Sequence, residues 1–182
     1  MGPPVDDREV GFEAIFTATY EAICGYALRR CSSPHDAADV VAETFAIAWR
    51  RVDEMPTGDA ARLWLYGVAR RVLANHRRGE RQRRLRTTEL RDEIAALAGD
   101  PLDASIIARA FRELSDDDQE ILGLVAWEGL DRDAIATVLG CSRGTVRVRL
   151  HRARTRFSRI LRTAGVDAAP MVMTRSSTKE SH

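Results

Sequence analysis

The densest chemistry in the sequence lies between Ser142 and Phe157, SRGTVRVRLHRARTRF. At helical spacing Arg143, Arg147, His151 and Arg154 share one arc, while Val146, Leu150, Ala153 and Phe157 share the other. Guanidinium groups in such a row bind phosphates and, in a DNA major groove, pair bidentately with the acceptors of guanine. From Arg143 to Arg162 there are eight arginines and no acid. A helix face that merely meets water usually mixes signs, so polyanion recognition is the better reading.

A second concentration of the same chemistry follows Ala61. Arg70, Arg71, Asn75, His76, Arg77 and Arg78 crowd the end of a helical pattern, with Trp64 and Tyr66 beside them. Arginines interleaved with aromatic rings can hold unpaired bases and their backbone. Taken alone this signal is weak, because a tryptophan near a helix start more often packs in a core. Other chemistries find no constellation. His35, His76, His151 and His182 are scattered, and the carboxylates are spread over helix faces and caps, so neither a nucleophile with its base nor a metal cluster is in view. Cys24, Cys31 and Cys141 have no CxxC spacing and read as reduced, buried thiols. No enzyme activity, metal or cofactor is expected. No apolar run is long enough to span a membrane and no basic-then-apolar leader is seen, so a cytoplasmic protein with no membrane contact of its own is expected.

The net charge of +1 conceals segregation. Residues 1–61 carry −6, 62–86 carry +8, 87–142 carry −9, 143–162 carry +8, and 163–182 are neutral. Two basic stripes on a near-neutral chain point to two contacts with one polyanion, and the acidic stretches require a different partner. All basic residues but Lys179 are arginine.

The elements that must position these groups are all helical. Phe12, Ile15, Phe16, Tyr20, Ile23, Ala27 and Leu28 predict a first helix, broken at Ser32, Ser33 and Pro34. Ala38, Val41, Phe45, Ala48 and Trp49 give the core stripe of a second, roughly 35–51, leaving Asp36, Asp39, Glu43 and Arg50 outside. After a turn-rich loop the third, 61–78, turns Leu65, Val68, Ala69 and Val72 inward. The stretch 81–101 is polar and ends in Gly99, Asp100 and Pro101; it reads as a flexible linker with one short helical patch around 89–97. Such a tether leaves the flanking domains without a fixed relation.

Beyond it Ile106, Ile107, Ala110, Phe111 and Leu114 form a stripe, and Ser115 caps a helix that opens on three aspartates and sends Ile121, Leu122, Val125 and Trp127 to the core. Asp131 to Gly140 predicts a short helix burying Ile135, Ala136 and Leu139, with glycine to end it. Ser142 is the cap of the arginine-rich helix that follows after a turn of about three residues. This is a helix-turn-helix, whose second helix enters the major groove. The expected architecture is thus all-α: a loose arm at 1–10, a helical domain at 11–80, the linker, a helix-turn-helix domain at 102–162 and a disordered tail at 163–182.

Two segments taken together resemble a known family. DAADVVAETFAIAWRR at 36–51, followed by RLWLYGVARRVLANHRR at 62–78, is similar to the second region of the bacterial RNA polymerase sigma factors of the extracytoplasmic-function group, in the sigma-70 family. LSDDDQEILGLVAWEGLDRDAIATVLGCSRGTVRVRLHRARTRF at 114–157 resembles their fourth region. The resemblance implies a transcription initiation factor without catalysis of its own, acting with core RNA polymerase on promoter DNA. By its pattern Asp36, Asp39 and Glu43 would meet the clamp helices of the largest polymerase subunit. Trp64, Arg71 and Asn75 would touch bases of a melted minus-10 element, and Arg70, Arg77 and Arg78 its phosphates. Ser142, Arg143, Arg147, Val148, His151 and Arg152 would face the minus-35 element. It also implies an anti-sigma factor as a partner. The chain departs from the usual pattern at Ala42, Arg71 and Val148, where the family often has glutamine, asparagine and serine. The competing reading of the same residues is an autonomous helix-turn-helix regulator. That reading leaves the second basic helix and the acidic face of 36–51 without a use.

Overall fold

The computed structural model describes residues 7–86 and 102–165. Among these there are seven α-helices, one 3-10 turn and no strand. α1 (Asp7–Leu28), α2 (Pro34–Arg50) and α3 (Asp59–Arg86) make the first domain, with the 3-10 turn at Val52–Glu54 between the last two. α4 (Leu102–Arg112), α5 (Asp116–Ala126), α6 (Arg132–Leu139) and α7 (Arg143–Thr163) make the second. α1 starts inside the stretch expected to be a loose arm, and α3 continues into the expected linker. The helical patch expected around 89–97 and the tail after Gly165 lie outside the described residues.

Helix ends follow local chemistry. Ser33 caps α2 by accepting from the amide of Asp36 at 3.1 Å, and its hydroxyl donates to the Asp36 carboxylate at 2.6 Å. Pro34 fills the first turn, where its missing amide hydrogen costs nothing. The hydrogen bond from the Ser33 hydroxyl is the main reason the Asp36 carboxyl lies below the ordinary carboxylate range; burial opposes it, and Ser32 and His76 add to it. Ser115 caps α5, and three aspartates fill its first turn, where the helix dipole favours negative charge.

The first core gathers Ile23, Tyr26, Val40, Val41, Phe45, Leu65, Val68 and Val72. On α2 the buried face is Ala37, Val40, Val41, Thr44, Phe45 and Ala48. Ala38, expected inside, is exposed, and Trp49 is 45% exposed. Thr44 takes an inner place because its hydroxyl donates to the Val40 carbonyl at 2.7 Å, leaving no polar atom unpaired. Trp49 instead lies edge-on to Phe12 at the rim of an aromatic group with Phe16, Tyr20 and Phe45. Leu28 is also exposed, since α1 turns Tyr26 and Ala27 inward near its end.

In the second domain Ile121, Leu124, Ile135, Val138, Val146, Leu150 and Ala153 are buried. Trp127 was expected with them but is 46% exposed: it stands at the C-cap of α5, off the buried stripe, edge-on to Phe111. Ile107 is likewise exposed, and Leu122, Val125, Ala136 and Leu139 are only half-buried.

The two domains share a face. α3 packs on α6, where the backbone of Val138 approaches Gly67. The ends of α1 and α5 are joined by charge. Arg30 Nε donates to Glu120 at 2.8 Å and Nη1 to Glu128 at 2.9 Å, while Arg29 reaches the other oxygen of Glu128 at 2.7 Å. The Tyr26 hydroxyl donates to Glu120 at 2.7 Å, with the Arg30 guanidinium 3.6 Å over the tyrosine ring.

Candidate nucleic-acid interface

The helix-turn-helix is assembled by its caps. Asp131 accepts from the amides of Asp133 and Ala134 and starts α6. Gly140 ends it at φ 63°, a left-handed conformation that costs glycine little. The amide of Cys141 then donates to the Ala136 carbonyl and that of Gly140 to Thr137, which closes a Schellman turn. Ser142 accepts from the Thr145 amide at 3.1 Å and launches α7. Val146, Leu150 and Ala153 hold α7 against the domain.

All six residues expected to face the minus-35 element are exposed: Ser142, Arg143, Arg147, Val148, His151 and Arg152. Arg143 rests 3.4 Å from Asp133 of α6, a surface pair that a phosphate can displace. Arg156 differs from the other arginines of the helix. It faces Asp118 and belongs to the fold of the domain.

On α3 the basic residues fall on two faces. Trp64, Arg71, Asn75 and Arg78 are spaced seven, four and three apart and make one stripe, with Arg71, Asn75 and Arg78 exposed. Trp64 is half-buried, packs on the core, and has the Arg51 guanidinium 5.6 Å over its ring. Arg51 is itself held by Glu54, which leaves Trp64 flanked by the loop between α2 and α3. Arg70 and Arg77 lie on the side nearer the second domain and are half-buried. Five of the six minus-10 candidates, all but Trp64, line one cavity of about 530 Å³. Its opposite wall carries Asp116, Asp117 and Glu120 of α5, and Arg77 comes within 3.5 Å of Asp116.

The acidic candidates of α2 divide. Asp39 and Glu43, four residues apart, are exposed on one face, with His35 3.8 Å from Asp39. Asp36 is occupied by its cap and stands 3.8 Å from His76 of α3. Among the described residues no group of histidines, cysteines and carboxylates could hold a metal ion, and no helix is long and apolar enough to cross a membrane.

The charged joint between the domains escaped the sequence. Tyr26, Arg29, Arg30, Glu120 and Glu128 follow no periodic signal, because each partner lies ninety or more residues away. Burial of the Tyr26 hydroxyl, then the charge of Glu120, pushes its pKa well above that of an ordinary phenol. For Arg30 burial acts downward, but the charge of Glu120 and the hydrogen bonds of both glutamates more than offset it.

Residues 15–84 match the family described as Sigma-70 region 2, and residues 104–157 match Sigma-70, region 4. The chain is 34% identical over 151 residues to the ECF RNA polymerase sigma factor SigL of Mycobacterium tuberculosis, covering 78% of this chain and 83% of that one. It belongs to the extracytoplasmic-function group of the sigma-70 family. This sigma factor is 28% identical to the RNA polymerase sigma-H factor of Pseudomonas aeruginosa, across 82% of its own chain and 86% of the other. The sigma factor RpoE of Bartonella quintana, solved in complex with the anti-sigma factor NepR, has the same fold: the TM-score is 0.64 at 25% identity, over 83% of this chain and 96% of that one. The sigma factor is thus a transcription initiation factor, built from the two helical domains in the family's order.

Proposed function

We propose that the exposed arc of α7 reads the minus-35 element and the basic face of α3 holds the melted minus-10 strand. The observation that carries this reading is the pair of arginine-rich faces, one per domain, each presented by a helix whose apolar side is buried. On α7, Arg147 and His151 sit one turn apart with Val148 and Arg152 beside them, all exposed. Bidentate arginine contacts to guanine and an apolar valine contact to a thymine methyl suit such a row. On α3, Trp64, Arg71 and Asn75 serve unstacked bases, and Arg70, Arg77 and Arg78 serve phosphates.

Docking on polymerase falls to the acidic side of α2. Asp39 and Glu43 are free of strong partners and meet basic residues of the largest subunit's clamp helices; Asp36 contributes mainly by holding the helix start. Ala42 supplies no polar contact there. The protein works without a cofactor or catalysis of its own, and an anti-sigma factor covers its polymerase-binding surface when it is held idle. The complex of the Bartonella relative with NepR supports that last role.

The test is permanganate probing of unpaired thymines on the gene's own promoter, with core polymerase and this protein. Thymine reactivity around the start site is expected with the wild type and is lost with Arg71→Ala/Asn75→Ala. Undiminished reactivity with that variant would remove α3 from the role.

A further inference from the structure

The cavity of about 530 Å³ between α3 and α5 has the size of a small-ligand site. Its charges are not matched by the protein alone. Glu120 is taken by the Tyr26 hydroxyl and by Arg30, and Asp116 lies 3.5 Å from Arg77. Arg70, Arg71 and Arg78 also line the cavity and form no ion pair among the described residues, and neither does Asp117 on the facing wall. Three positive charges and one negative are thus left open in a single cleft. Arg70 weighs most among them because it is half-buried. A guanidinium drawn partly out of water without an anion carries a desolvation cost that a bound anion offsets.

The lining limits what that anion can be. Guanidinium groups hold phosphates through paired hydrogen bonds, and several unmatched arginines call for more than one phosphate charge. A bare polyphosphate offers no donor to Asp117 and is repelled by it. The carboxylate needs a hydroxyl or amino group, as when acidic side chains accept from the ribose hydroxyls of nucleotides. Leu73 and Ala74 add apolar lining that the flat face of a base can cover. We propose that the cleft binds a nucleoside diphosphate or triphosphate, with the phosphates on Arg70, Arg71 and Arg78 and the ribose or base donors on Asp117. The joint of Tyr26, Arg30, Glu120 and Glu128 makes the two walls into one site, since it fixes the start of α5 opposite α3. The site does not depend on the promoter role given to α3.

Isothermal titration calorimetry on the free full-length chain tests this, with ADP, GDP, CDP, UDP and pyrophosphate as probes. The titrations are run at about 0.15 M salt, where loose charge attraction is screened. At least one nucleotide is expected to bind once per chain and about tenfold more tightly than pyrophosphate, the worth of one charge-assisted hydrogen bond. Arg70→Ala is expected to weaken nucleotide and pyrophosphate alike, again about tenfold. If circular dichroism shows that this variant has lost its helices, Arg78→Ala, at an exposed position, takes its place. Asp117→Ala is expected to weaken the nucleotide but to leave pyrophosphate as tight or tighter. A chain that binds no nucleotide better than pyrophosphate overturns the site, as does a folded arginine variant with undiminished binding. Nucleotide binding that tightens when Asp117 is removed also overturns it, because the arginines of α3 would then be holding phosphate without the facing wall.

Discussion

Nη1 of Arg156 lies 3.0 and 2.7 Å from the two carboxylate oxygens of Asp118, tying the recognition helix to the first turn of α5. Asp118 is buried, and this arginine is the group that neutralises it. The eight arginines from Arg143 to Arg162 therefore do not form one class. Arg156 positions α7, while those on the arc of Arg147 are open to a ligand.

Arg156→Ala should lower the stability of the second domain by about 1–2 kcal/mol, since it strands a buried carboxylate but removes a half-exposed partner. Arg154→Ala, two residues earlier and exposed, should change stability by less than about 0.5 kcal/mol. Urea unfolding of both variants checks the contrast; equal losses would contradict it.

Arg147→Ala should weaken use of the target promoter by an amount worth about 1–3 kcal/mol, the usual discrimination of one bidentate base contact. Binding to core polymerase should be unaffected. Transcription at wild-type level from that promoter would count against the placement of α7 in the groove.

Asp39→Lys/Glu43→Lys should abolish association with core polymerase in size-exclusion chromatography. Both positions are exposed, so the fold should survive, as circular dichroism can verify. Intact co-elution would take the docking role away from α2.

The cap of α2 should leave a pH signature. The hydrogen bond from the Ser33 hydroxyl holds the Asp36 carboxyl below its ordinary value of 3.8 in the folded chain. A depressed carboxyl contributes stability that is fully present above its unfolded pKa and is lost as pH falls through the lower, folded one. Loss of the N-cap in Ser33→Ala should cost about 1 kcal/mol near neutrality. The gap from wild type should narrow below about pH 4. A gap independent of pH would show that the carboxylate takes no part in the cap.

Helix positions were legible wherever one face is apolar and a cap stands at the start. Ser33, Ser115, Asp131 and Ser142 each cap the helix that follows, and Gly140 ends α6 as its type and place suggest. The exposed arc of α7 was readable for the same reason, because burial of Val146, Leu150 and Ala153 leaves only one side for the arginines. On α2 Val41, Phe45 and Ala48 were read as inner and are buried, but Thr44 looks polar until its bond to Val40 is known, and Trp49 looks apolar although only part of it is covered. The joint between the domains could not be read at all. An arginine at the end of a helix and a glutamate in a distant turn are ordinary surface residues in sequence, and only the fold brings Arg30 to Glu128.

Run-off transcription from the gene's own upstream region, with purified core RNA polymerase in the presence and absence of this protein, tests the central claim most directly. A start site that appears only when the protein is added is the predicted result. The contradicting result is no transcript from any genomic template while the protein alone shifts duplex DNA, the behaviour of an autonomous regulator.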